Sequence, residues 1–109
     1  MLQRKNRLPV SARLSAAKTY STQLFTVKIA KNTLEYNRFG FIVTKKIDKR
    51  AVGRNRLKRQ LRSCIENILQ KMITGYDFLF FLKKEGVEVP TALFCQTLEM
   101  LFTKERLFL

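Results

Sequence analysis

The chain has 109 residues, 46% of them hydrophobic, and carries 22 Lys or Arg against 8 Asp or Glu, a net charge of +14. That length suits one domain over 1–109, with too much apolar content for a disordered basic tail. With no histidine, no C-x-x-C pair and no paired carboxylates, no catalytic residue and no metal ligand is assigned, and no apolar run nears the ~20 residues that span a bilayer.

Residues 1–19 are basic and weakly patterned. Pro9 blocks a helix ahead of it, and SARLSAAK (11–18) supports one short helical segment at most, so a partly extended arm is expected. The basic N-terminus has no apolar h-region, which argues against a secretory signal and for the cytoplasm.

From Leu24 the pattern takes period two. Phe25, Val27 and Ile29 share one face and Thr26 and Lys28 the other, which predicts a half-buried strand. KNTLEYN (31–37) is turn-like, and FGFIVTKK (39–46) is a second strand in which Phe39, Phe41 and Val43 alternate. Gly40 is read as a twist in the sheet rather than a close approach.

A long helix is predicted from Lys49 or Ala51 to about Ile73, with Gly75 as its stop. At about 100° per residue, Leu57, Leu61, Cys64, Ile65, Ile68 and Met72 fall in one apolar sector. Asn55, Arg56, Lys58, Arg59 and Arg62 take the adjoining polar sector. YDFLFFL (76–82) reads as a central strand covered on both sides. KKEGVEVP (83–90) is a loop. Pro90 then opens a last helix to about Glu105, with Leu93, Phe94, Thr97, Leu98, Leu101 and Phe102 on one side. This order describes an α/β sandwich of helices on a small mixed sheet. Cys64 and Cys95 sit among apolar neighbours in the two helices, which favours two buried free thiols over a disulfide.

The chemistry concentrates in residues 45–62. Nine cations (Lys45, Lys46, Lys49, Arg50, Arg54, Arg56, Lys58, Arg59 and Arg62) face the single acid Asp48, itself read as a helix cap or turn residue. Cations near a helix N-terminus oppose its dipole, so helix stability alone would place carboxylates there. The reverse arrangement fits a polyanion that approaches this end, with arginine forks and helix amides on its phosphates. A solvated helix face is the competing reading.

The string 51–59, Ala-Val-Gly-Arg-Asn-Arg-Leu-Lys-Arg, follows Thr44-Lys45-Lys46 at a strand end and resembles the signature of the bacterial ribonuclease P protein subunit. The likeness is close over 39–62, and the later strand and helix fit the family order. It implies an α+β sandwich with a mixed four-stranded sheet and a left-handed βαβ crossover, like the second domain of ribosomal protein S5. It further implies a subunit without catalysis of its own. The partners would be a large catalytic RNA and the precursor tRNA whose 5′ leader that RNA removes with Mg2+. Carried over by position, Lys45, Lys46, Arg54, Asn55, Arg56, Lys58, Arg59 and Arg62 would contact the catalytic RNA, with Arg54 and Asn55 nearest its metal-rich centre. Asn6-Arg7-Leu8 matches an N-terminal element of the family. The leader would lie on the outward sheet face at Lys28, Ile42, Thr44 and Lys46, with Tyr20 or Phe25 stacking on a base, plain core being the competing role for Phe25. The departure lies at 11–23, which is shorter than the first helix of relatives and lacks its Asp-Phe pair and Gly.

Other readings share the same physics. A ribosomal or assembly protein would bind structured RNA without processing it. A DNA-reading helix needs an exposed face clear of the core, whereas Leu57 and Leu61 tie these turns to the sheet. A membrane-surface helix would need the apolar stripe that the core uses.

Overall fold

Two antiparallel strands, one on either side of a tight turn, start the sheet. The computed structural model describes residues 3–9, 14, 17–87 and 89–109. Its elements are β1 (Lys18–Ser21), β2 (Phe25–Lys31), β3 (Arg38–Ile42), α1 (Ala51–Ile68), β4 (Tyr76–Leu82) and α2 (Thr91–Lys104). Short 3-10 turns lie at Arg4–Asn6, Leu69–Lys71 and Lys84–Gly86. The helical segment expected within 11–18 falls largely outside the described residues.

The strands order as β1-β2-β4-β3, so β4 is central as its apolar run predicts. β1 with β2 and β2 with β4 are antiparallel, while β3 and β4 are parallel. Parallel neighbours need a crossover connection, and α1 is that connection. The register sets Val27 and Phe41 beside Phe80, and Ile29 and Phe39 beside Phe78. One face of the sheet is thereby apolar, and both helices cover it. Leu57, Leu61, Ile65 and Ile68 of α1 and Phe94, Leu98 and Phe102 of α2 are buried there. Phe78 ties the layers together, with ring centroids 5.0 Å from Phe39 and 5.4 Å from Phe102. Each such buried side chain contributes about 1.5–3 kcal/mol.

The opposite face differs from expectation. Asp77, Leu79 and Phe81 of β4 point to it, and no helix among the described residues covers it; Leu79 and Phe81 are half-buried. Part of the cover comes from the N-terminal segment. Arg7 pairs with Phe39 in parallel and Leu8 N donates to Phe39 O at 2.9 Å, which extends the sheet past β3. A Cβ on Gly40 would stand 3.0 Å from Leu79 and 3.2 Å from Leu8. Gly40 therefore serves a close approach, not merely a twist.

Three further expectations change. α1 ends at Ile68 rather than near Ile73, because the chain end claims the next backbone groups. Ile73 N donates to Leu107 O at 2.9 Å, Leu109 N donates to Lys71 O at 2.7 Å, and Met72 pairs with Phe108. β1 was not foreseen, since its exposed edge carries no apolar alternation. Its hairpin is set by Thr22, whose Oγ1 accepts from Leu24 N (3.2 Å) and Phe25 N (3.0 Å). Finally, Cys64 and Cys95 are joined in a disulfide between α1 and α2, with Cα atoms 5.1 Å apart. The helix packing creates that proximity, and a spacing of 31 residues could not reveal it.

Buried Asn37 closes the framework. Its Nδ2 donates to Ile73 O, its Oδ1 accepts from Tyr76 N, and its carbonyl accepts from Asn6 Nδ2, at 2.7, 2.9 and 2.7 Å. One residue thus joins the N-terminal segment, the entry to β3 and the entry to β4. No helix among the described residues is long and apolar enough to cross a membrane.

Candidate nucleic-acid interface

The candidate interface comprises the loop after β3 and the solvent side of α1. Val43 is buried, and Thr44 O accepts from Ile47 N and Asp48 N at 3.0 and 3.3 Å. That turn leaves Thr44, Lys45 and Lys46 exposed. Asp48 then organises the helix start, as a turn or cap residue should. Its Oδ1 accepts from Arg50 N at 2.9 Å, and its carboxylate pairs with the Arg50 guanidinium at 3.2 Å. Those Arg50 contacts hold the Asp48 carboxyl below the usual carboxylate range. A Cβ on buried Gly53 would collide with Asp48 Oδ2, so the glycine is what lets the acid lie over the first turn.

The cations divide into two groups. Arg54 is half-buried, and its Nη1 donates to Asp48 O at 3.0 Å and Lys49 O at 2.9 Å. It braces the loop that precedes the helix. Arg62 is also half-buried, with its Cζ 5.6 Å above the Phe41 ring. Burial, and then Arg7, make its guanidinium less basic than usual. Asn55, Arg56 and Arg59 stand exposed on the crest, and Lys58 is half-buried beside them. A shallow groove of about 380 Å³ runs along the crest past Val52, Asn55, Arg59 and Arg62. Among the described residues, ion pairs join Arg50 to Asp48 and Arg38 to Asp77, and neither includes a cation of 54–62.

The sheet's outward face holds Lys28 and Ile42, as the strand pattern predicts, with Thr44 just beyond the end of β3. It does not hold the two aromatics expected with them. Phe25 is fully buried on the core face, its ring 5.4 Å from Phe80. Tyr20 pairs with Val27 and so shares the core side of β1. The aromatic on the outward face is Phe81, with Lys28 Nζ 5.5 Å from its ring centre. A signal for it existed in the doublet Phe80-Phe81, because neighbours in a strand point to opposite faces. The same face carries Asp77. Burial would raise its carboxyl, but hydrogen bonds from Arg38 (2.9 and 2.7 Å) and Asn32 (2.9 Å) outweigh that and hold it below the usual range.

Comparison with known proteins gives the family and supports the fold. The family model described as Ribonuclease P matches residues 4–106. The chain is 38% identical over 84 residues to the "Ribonuclease P protein component" of Haemophilus influenzae, covering 77% of this chain and 70% of that protein. It is 34% identical over 70 residues to the protein of that name from Synechocystis, covering 64% of this chain. There the match spans little more than half of the relative, 56% of its length. The ribonuclease P protein structure from Staphylococcus aureus superposes with a TM-score of 0.77 at 20% identity, over 99% of this chain and 95% of that one. A mixed four-stranded sheet under two helices, an Arg-Asn-Arg helix start after a strand, and a family match over nearly the whole chain lead to one assignment: the chain belongs to the ribonuclease P protein family.

Proposed function

We propose that this protein is the RNA-binding subunit of a cytoplasmic ribonuclease P ribonucleoprotein. In this reading the crest of α1 and the 44–50 loop bind the catalytic RNA. The outward sheet face takes the single-stranded 5′ leader of precursor tRNA. One observation carries the first part: Arg56 and Arg59 are exposed on a helix whose other side is locked into the core, and neither joins an ion pair among the described residues. Their charge is thus available to phosphate on a helix anchored to the core. Lys45 and Lys46 continue the patch, and Asn55 offers a donor and an acceptor between the arginines. On the sheet face, Phe81 supports the leader assignment as a stacking surface, with Lys28 supplying charge.

Hydrolysis belongs to the RNA in this reading, with Mg2+ held among its phosphates. The described residues contain no group of three or more His, Cys, Asp or Glu that could hold a metal ion. No chemical step is assigned to a protein side chain.

Reconstitution tests the proposal. Adding the protein to the catalytic RNA from the same source should lower the Mg2+ needed for 5′ cleavage and favour leader-bearing substrate over mature tRNA. Affinity should fall steeply with salt as counterions are released. Binding to that RNA no tighter than to a random RNA of equal length, at about 150 mM salt, would overturn it.

A further inference from the structure

At the sheet edge farthest from β3, a cavity of about 470 Å³ opens between β1, β2 and the end of α2. Its floor is apolar, formed by Ile29 and Leu107. Tyr20 and Tyr76 stand on its walls, Glu105 faces into it, and Lys18 and Lys31 are exposed at its rim. The volume lies within the range of small-ligand sites, and the lining mixes aromatic surface with few polar groups.

The acid is the informative member. The chain has 8 acids against 22 Lys or Arg, and a phosphate-binding surface gains nothing from a carboxylate. A carboxylate does read nucleobase edges, because it accepts from two adjacent N–H donors. Guanine alone presents a ring N–H and an exocyclic amino group side by side on its pairing edge. Adenine and cytosine place an acceptor nitrogen beside their amino group, and uracil flanks its single N–H with carbonyls. Each would set a lone pair against Glu105.

Tyr20 lines the cavity beside Glu105, and burial followed by the charge of Glu105 raises the phenol above its usual range. The oxygens of Glu105 keep further acceptor capacity. The backbone is constrained. α2 closes through Leu107 N to Phe102 O at 2.9 Å, with Arg106 between them at φ 58°, a left-handed conformation that an arginine adopts only under constraint. Glu105 and buried Leu107 are therefore held on either side of a strained residue.

We propose that this cavity is a guanine-nucleotide site, separate from the cationic helix. The base lies against Tyr20 and Tyr76, its pairing edge meets Glu105, and its phosphate meets Lys18 and Lys31. A guanosine within an RNA strand and free GMP offer the same chemistry. The inference goes beyond the proposed ribonuclease P role and does not require it.

The chain has no tryptophan, and two of its three tyrosines, Tyr20 and Tyr76, line the cavity, so tyrosine fluorescence of the full chain, corrected for nucleotide absorbance, reports on the site. Titration with GMP should give saturable quenching with a Kd on the order of 1 mM, and AMP, CMP and UMP should bind at least about 10-fold more weakly. Glu105→Gln swaps one acceptor for a donor. It should weaken GMP at least about 10-fold and remove the preference, with the circular dichroism spectrum unchanged. Arg59→Ala should leave GMP binding intact, so loss of catalytic-RNA binding in that variant tests the other reading alone. A short RNA holding one guanosine, set against its adenosine counterpart, separates the sources: tighter binding than GMP marks an RNA strand, weaker binding the free nucleotide. Equal quenching by all four nucleotides, no saturation, or a guanine preference that survives Glu105→Gln would overturn the proposal.

Discussion

Arg54 and Arg62 lie on one flank of α1, Arg56 and Arg59 on its crest, and in the sequence all four look alike. The flank pair is already occupied. Arg54 holds two backbone carbonyls of the preceding loop, and Arg62 lies over Phe41 beside Arg7. The crest pair is exposed. The comparison teaches that a dense basic motif is not uniformly a ligand surface. Some of its cations build the platform, and the others stand exposed on it.

The strongest way to break that comparison is to remove the platform. Leu61 is fully buried beneath the crest, so Leu61→Ala should cost about 4 kcal/mol and lower the denaturation midpoint, taking RNA affinity with it. The Cys64–Cys95 link is the next anchor, since it ties α1 to α2 across 31 residues. In the chain-entropy view, Cys64→Ser with Cys95→Ser should lose about 3–4 kcal/mol, measured by denaturant unfolding without reductant. The crest should behave differently. Arg56→Ala with Arg59→Ala should change stability by less than about 0.5 kcal/mol, yet weaken catalytic-RNA binding about 30- to 100-fold. The slope of log affinity against log salt should shrink by about 1.5–2. If Arg54→Ala instead matched the crest pair in binding at unchanged stability, the division into platform and surface would be wrong.

How much of this could be read beforehand follows from period. The apolar stripe of α1 and the alternation of Phe39, Phe41 and Val43 report local geometry, so the core and the central place of β4 were legible. The exposed face of α1 was legible for the same reason, because Leu57 and Leu61 fix which way Arg59 must point. What was hidden depends on partners distant in sequence. β1 pairs by register alone, the early end of α1 is imposed by residues 107–109, and the disulfide requires two helices to be docked first. Phe25 and Phe81 illustrate both cases. Alternation does place them on opposite faces, but which face stays open depends on where both helices pack.

The outward face gives a smaller and pH-readable effect. Asp77 has a depressed carboxyl through Arg38 and Asn32. A depressed acid stabilises the fold above its unfolded value of about 3.9, and that stabilisation disappears as pH falls through the lower folded value. Relative to Asp77→Asn, the native chain should be more stable by about 1–2 kcal/mol at neutral pH, with the margin closing below about pH 4. A margin constant from pH 7 to 3 would mean that the ion pair is not the source.

The smallest effect concerns a third kind of arginine. Arg106 neither braces the α1 platform nor occupies its crest. It holds the left-handed position after α2 that glycine usually fills, with its amide bonded to Thr103 O at 3.2 Å. A left-handed conformation costs a residue with a side chain about 1–2 kcal/mol, whereas glycine loses about 0.5–1 kcal/mol through its freer unfolded chain. Arg106→Gly should therefore stabilise the protein by about 0.5–1 kcal/mol in chemical denaturation, and Arg106→Ala, which keeps a Cβ, should not. Equal stabilisation by both would trace the gain to removal of a positive charge from a crowded +14 chain rather than to relief of the backbone.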